Sequence, residues 1–307
     1  MINEIKNKLK IWIYKNKFLM ATLAIITAVV FWGMSFVSMK TLINSGIPPY
    51  TMISLRYILV LVVLTLIVIL SGSSNFKNMS FSDHKFFILS GMTGITTYFL
   101  FEAKGISLTT ASNASLIIAM IPVFTLIADL IIFKKKFKMI QIFGIAFSVI
   151  GVFCIIYSST KQEYLSGENR LLGNLLMLGA CLSWVCYSIF SKRLNLKYSS
   201  FKVTVMQSIY GTIFLLPFTL LEKTKWVPIT KIAWLNLLFL AVLCSIVSYY
   251  LYNLSIRILG ITVISAYINL IPMVGFLGGV MILKESVNPL QLAGCLIIIV
   301  SLFLVNK

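Results

Sequence analysis

The sequence predicts an all-α integral membrane protein, with ten transmembrane helices arranged as two inverted five-helix repeats. Three observations carry that expectation. Charge is scarce: 11% of the 307 residues are charged and 59% are hydrophobic, against about 25% charged in a soluble domain. Too little polar side chain exists to coat a water-soluble globule. Long apolar runs recur along the chain, and ~18 or more such residues can cross a hydrocarbon core. Finally, two distant stretches, SLIIAMIPVFTLIADLIIFKKK (115–136) and SAYINLIPMVGFLGGVMILKE (265–285), place a proline at the same point of an apolar run.

Taken in order, the first 17 residues, MINEIKNKLKIWIYKNK, hold five lysines. They lack the apolar core and small-residue cleavage site of a signal peptide, so the run at 18–43 is expected to remain as the first helix. The next spans fall at 50–71, which contains Arg56, and at 85–106, which contains Tyr98 and Glu102. The fourth, 110–133, carries Asn113 and Pro122 and ends at Asp129 and KKKFK. A fifth at 139–159 closes the first half, set at 1–160. The second half, 171–307, repeats the plan at 171–193, 201–221, 231–256, 261–283 and 288–305. Connections are short, which leaves no room for an extramembrane domain. No Gly-Lys dipeptide occurs, so a phosphate-binding P-loop is missing and ATP-driven work would need another subunit.

The formal charge of +18 does not mark a nucleic-acid partner, because the lysines and arginines are scattered over short loops rather than gathered in a patch. Counted over loops and termini, with Arg56 left inside its span, 17 fall on the side of the N-terminus and 8 on the other. That bias predicts both termini in the cytoplasm of a cell-membrane protein. The five cysteines sit in apolar segments without a C-x-x-C pair and read as small buried hydrophobes. The single histidine, His84, lies in a polar loop and cannot gather a zinc site or a Ser-His-Asp arrangement. No cofactor is implied, and enzymatic function has no support.

At an offset of 150, Ser115, Ile118, Ile121, Pro122, Lys134, Gln141 and Gly144 meet identical residues, Ser265, Ile268, Ile271, Pro272, Lys284, Gln291 and Gly294. FWGMSFVSMK (31–40) likewise matches SWVCYSIFSK (183–192), with Trp32 over Trp184. Five spans per half is an odd number, so the second copy must enter the membrane upside down. Inverted repeats of this kind characterise secondary transporters, whose solute sites lie at the repeat interface near the midplane.

Read as a site, the spans offer aromatic and polar side chains: Trp32, Ser35, Tyr98, Asn113, Trp184, Tyr187, Tyr252 and Asn269. Buried amides and phenols need partners, which a wet cavity or helix–helix bonds both supply. Arg56, costing ~2.5–3.5 kcal/mol at mid-span, either pairs with Glu102 or extends to the headgroups. Glu102 is open to a cationic group or a coupling proton. Pro122 and Pro272 are each expected to free a carbonyl, of Ile118 and Ile268, and to kink the helix as a hinge. Trp12, Trp226 and Trp234 near span ends read as an interfacial belt. Asp129 is expected to pair with the lysines after it.

WGMSFVSMK in the first span, SLRY around Arg56, the two prolines and the terminal LKESVNPLQLAG together resemble the drug/metabolite transporter superfamily, in its ten-helix EamA branch. The resemblance implies a secondary carrier working by alternating access, often an exporter of amino acids and related metabolites. It also implies an acidic residue after the fourth and ninth helices. Glu285 fills the second place, but Lys135 stands at the first, so Glu285 is expected to serve a turn rather than a symmetric function. The partners implied are a small amphipathic solute and the lipid bilayer. Rival readings are an importer or exchanger of a nucleoside-like or cationic metabolite and a non-transporting membrane scaffold. The sequence leaves substrate, flux direction and oligomeric state open.

Overall fold

A computed structural model describes residues 16–71, 79–134, 138–166, 169–222, 228–259, 264, 267–268 and 270–305. Its helices are α1 (Lys17–Asn44), α2 (Pro49–Leu70), α3 (Phe81–Leu108), α4a (Ala111–Ile118), α4b (Ile121–Phe133), α5 (Met139–Ser166), α6 (Arg170–Lys197), α7 (Ser200–Thr219), α8 (Lys231–Leu259), α9 (Ile271–Ile282) and α10 (Pro289–Val305). Eight described helices are long and apolar enough to cross a membrane, counting α4a and α4b as one. The shorter apolar α9 and α10 occupy the last two expected spans. Large apolar residues stay exposed on the outward faces, among them Leu23, Val62, Phe153, Leu182, Leu235 and Phe303. In water such a surface would aggregate; facing acyl chains it carries no penalty.

The halves interlock. Ser255 Oγ donates to the Ala21 carbonyl at 2.9 Å, Trp32 Nε1 donates to the Cys244 carbonyl at 2.9 Å, and Ser38 bonds Asn236. Numbers rise along α1 as they fall along α8, so the two are antiparallel. In the same way Ser183 Oγ donates to the Thr93 carbonyl at 2.7 Å and Lys197 pairs with Asp83, which sets α6 antiparallel to α3. Lys40 Nζ at the end of α1 donates to the carbonyls of Ile106 (3.1 Å) and Thr109 (2.6 Å) at the end of α3, so α1 and α3 run together. It follows that α6 runs opposite to α1, the relation expected of inverted repeats. Helices α5 and α10 close the pattern through Ser148 and Ser301 (2.6 Å) and Asn288 and Ser158 (2.6 Å).

The prolines do not kink continuous helices. After Ile118 the chain makes one tight turn, with Ala119 N–H on Leu116 O and Met120 N–H on Ile117 O, and α4b then starts at Ile121. Helix α9 likewise starts at Ile271, after Leu270 N–H bonds Tyr267 O. Pro122 and Pro272 therefore lie in the first turn of a new helix, where a missing N–H is harmless and a fixed φ is favourable. The expected interior defect is a helix break. Lys134 and Lys284, just beyond these helices, share a left-handed backbone at φ 50° and 53°.

Two π-helical segments were not anticipated: Met92–Thr97 in α3 and Phe239–Val247 in α8, the third helix of each half. Ser245 and Ser248 Oγ donate to the carbonyls five residues back, Leu240 at 2.9 Å and Leu243 at 2.7 Å, which supports the wider turn. Such bulges re-aim the residues that follow, and they recur at functional sites.

Candidate functional site

The π segments deliver Tyr98 and Tyr249 to the middle of the bundle, where each meets the tryptophan of the opposite half. Ring centroids lie 5.2 Å apart for Tyr98 and Trp184 and 5.7 Å for Tyr249 and Trp32. The two tryptophans meet edge to face at 5.5 Å. This cluster walls a cavity completed by Ser35, Phe36, Arg56, Phe99 and Glu102, and by Ile118, Ile121, Ile268 and Ile271. The four isoleucines flank the two helix breaks. The space left measures about 30 Å³ for water centres, room for roughly two waters.

Arg56 is 1% exposed, so it does not extend to the headgroups. Its Nε donates to Ser245 Oγ at 2.8 Å, its plane lies 4.4 Å from the Phe99 ring centroid, and one terminal nitrogen approaches Met39 Sδ at 4.0 Å. Glu102 is 2% exposed. Its Oε1 accepts from the Tyr98 hydroxyl at 2.8 Å, while Oε2 has no partner among the described residues. Among those residues no ion pair joins Arg56 to Glu102; the two charges share the cavity without touching. Neither a direct pair nor an Arg56 extended to the headgroups forms; the two groups share a polar space.

Of the residues singled out from the sequence, Trp32, Ser35, Arg56, Tyr98, Glu102 and Trp184 line the cavity. Three do not. Asn113 is fully buried, with Oδ1 accepting from Gln291 Nε2 at 2.9 Å and Nδ2 on Thr109 Oγ1 at 3.4 Å, a link between α4a and α10. Tyr187 sits behind Trp184, ring to ring at 4.9 Å, with its hydroxyl on Gln207. Tyr252 packs on both tryptophans, at 5.4 and 5.9 Å, one layer out. In all three, polar atoms or ring faces engage protein. Asn269, Lys135, Trp12 and Trp226 lie outside the described residues, as does the side chain of Asp129. Trp234 is 44% exposed, as a belt residue should be.

Phe36, Phe99 and the four isoleucines were missed as lining residues, whereas Tyr249 lies deep in its span and reads as a wall residue. Tyr249 had a signal, since YFLFE (98–102) matches YYLYN (249–253) at an offset of 151. The isoleucines had one as well, since Ile118 and Ile121 meet Ile268 and Ile271 at the offset of 150.

Away from the cavity, Glu285 accepts from Ala111 N at 2.8 Å and Ser112 N at 2.9 Å, closing the start of α4a. Glu222 does the same for α2, accepting from Tyr50 N (2.9 Å) and Thr51 N (2.7 Å). Both link a helix of the first half to the end of one in the second. By the helix directions both lie on the face where α1 ends. Asp83 binds Lys197 and the Tyr198 hydroxyl (2.6 Å) on the opposite face.

The profile of the EamA-like transporter family matches residues 19–157 and again 171–307. A "Probable amino-acid metabolite efflux pump" of Salmonella typhimurium is 25% identical, covering 90% of this chain and 91% of its own. A "Probable terminal-alkyne amino-acid exporter" of Streptantibioticus cattleyicolor is 23% identical, covering 94% and 93%. An "Uncharacterized transporter" of Archaeoglobus fulgidus is 27% identical over 69% of this chain and 73% of its own. A solved structure, titled only as the crystal structure of a protein, has the same fold at a TM-score of 0.62, with 16% identity over 92% of this chain and 95% of that one.

Proposed function

This chain belongs to the EamA-like transporter family, and on that premise we propose that it is a secondary-active exporter of small amphipathic metabolites, amino acids among them. It is a multi-pass membrane transporter of the drug/metabolite superfamily and not an enzyme. The observation that carries the finer reading is the cavity: aromatic faces and two opposite charges enclosed where helices of both halves meet. A scaffold has no use for a buried arginine and a buried glutamate that do not neutralise each other.

In this reading residues 1–160 and 171–307 are two five-helix units that rock about the midplane. The breaks before Pro122 and Pro272 act as hinges, because the isoleucines beside them wall the cavity and a solute larger than two waters must displace them. Contacts across the halves at both faces, Glu222 and Glu285 on one and Asp83 with Lys197 on the other, fit a closed intermediate of the cycle. The lysine and arginine bias, 17 against 8, supports cytoplasmic termini in a cell membrane and puts the glutamate contacts on the outside.

The test compares metabolites inside and outside cells making this chain, Trp184→Ala or Trp184→Phe at matched surface levels. Accumulation of a solute outside only with the unmodified chain, partly kept by Trp184→Phe, is the expected result. Equal export by Trp184→Ala would remove the aromatic wall from the path. A second reading, uptake or exchange of a cationic metabolite, draws on the uncommitted Glu102 oxygen and the aromatic faces. Net accumulation inside would favour it.

A further inference from the structure

The two halves carry the same aromatic frame but different charge. At the offset of 151 Arg56 falls on Gln207 and Glu102 on Asn253. The second-half amides donate to protein, although Asn253 Oδ1 has no partner among the described residues. Gln207 Nε2 donates to Ser90 Oγ (3.1 Å) and Ser191 Oγ (2.8 Å), and Asn253 Nδ2 donates to Thr204 Oγ1 (3.1 Å). Neutral amides therefore suffice to pack these positions. In the first half a guanidinium and a carboxylate stand there instead, both buried and both facing the cavity.

Neither charge is used up by the fold. Ser245, held by its own bond to Leu240, fixes the guanidinium through Nε and leaves the terminal nitrogens without an oxygen acceptor among the described residues. The guanidinium carbon lies 4.4 Å from the Phe99 ring centroid, a contact that orients the group without accepting its N–H bonds. A planar fork left open in this way matches a carboxylate. Tyr98 fixes one Glu102 oxygen and leaves the other, nine-tenths buried and more, with no donor among the described residues. An acceptor so placed calls for a cationic N–H group. Trp32, Trp184 and Tyr249 lie beside both, and their faces suit an apolar or aromatic side chain.

We infer that Arg56 and Glu102 are the two poles of a single zwitterion site, Arg56 taking the carboxylate and Glu102 the protonated amine of an amino-acid-like solute whose side chain rests on the aromatic cluster. This deepens the exporter reading and rests on it. Both poles must be met at once, because a solute with one charge leaves the opposite group buried and unpaired. The site therefore discriminates against amines without a carboxylate and acids without an amine.

The experiment first screens purified full-length protein in liposomes for exchange of the twenty common amino acids, nucleosides and organic cations. Binding in lipid nanodiscs is then measured by calorimetry for L-phenylalanine, its methyl ester and 3-phenylpropanoate. The native chain should bind phenylalanine about tenfold or more tighter than either analogue. Arg56→Gln should abolish the preference over the ester alone, and Glu102→Gln the preference over phenylpropanoate alone. A purely structural role would move both ratios together or neither. Arg56→Lys, which keeps the charge without the fork, should retain part of the preference if Arg56→Gln fails to fold. Equal binding of all three probes by the native chain overturns the two-pole site, even if transport is seen. Exchange of nucleosides or cations without any amino acid also overturns it while leaving the transporter reading intact. No exchange of any solute overturns both.

Discussion

Replacing Glu285 by alanine should loosen the protein at one defined place, the start of α4a. All four N–H groups of that first turn are accounted for. Ala111 and Ser112 donate to Glu285, Asn113 donates to Thr110 Oγ1 at 3.1 Å, and Ala114 to Thr110 O at 3.0 Å. Glu285→Ala orphans the first two. Charge-assisted bonds contribute ~1.5–3 kcal/mol each when their donors stay dry. Glu285 is only half-buried, so water recovers part of the loss, and ~2 kcal/mol is expected, the upper end for helix caps. Glu285→Gln keeps one acceptor and should lose about half as much. Glu222 closes α2 by the same accounting, since Pro49 has no N–H and Met52 N donates to Pro48 O at 2.8 Å. The two sites share no partner, so the double variant should lose roughly 4 kcal/mol. Thermal unfolding in detergent, followed by a thiol-reactive dye, reads this through buried Cys181, Cys244 and Cys295. Melting should fall by about 4–8 °C for Glu285→Ala. A melt unchanged from the native chain would refute the capping argument.

Gly94→Ala should destabilise by ~1–3 kcal/mol, because its new Cβ would fall inside the fully buried Tyr187 ring; the same melt reads it. Pro122→Ala should change stability by no more than about 1 kcal/mol, since the proline stands in a first turn. A gain of ~3 kcal/mol, the penalty of an interior proline, would instead favour a kinked continuous helix. Ser245→Ala should impair transport and also lower stability by ~1–3 kcal/mol, because its hydroxyl is the oxygen acceptor that aims buried Arg56; unaltered transport would detach Arg56 from the solute path.

Spans, their number and the upside-down second half were legible because apolar length and an odd helix count follow directly from sequence. Trp32, Trp184, Tyr98, Arg56 and Glu102 could be read as central because a tryptophan repeated at the same place and a mid-span charge are rare enough to stand out. Asn113, Tyr187 and Tyr252 stand outside the cavity wall, since a buried polar side chain that bonds a neighbouring helix and one that faces a cavity look alike in sequence. The prolines were read as interior defects because nothing in IIAMIP or INLIP tells a kink from a fresh helix start. The π segments left no trace, because a one-residue change of turn is invisible where nearly every residue is apolar. The asymmetry of charge was legible at the offset of 151, in YFLFE over YYLYN, once the repeats were aligned through the third helix as well as the fourth.

The central claim is that the aromatic, two-charge cavity opens alternately to the two sides of the membrane. Ser35 lines it and is small, so Ser35→Cys, in a background with the five native cysteines replaced by alanine, is a direct reporter. In sealed, oriented vesicles an impermeant thiol reagent is applied from one side and then, separately, from the other. Alternating access predicts labelling from both sides, slowed by a transported solute. Labelling from one side only, or from neither, would contradict it.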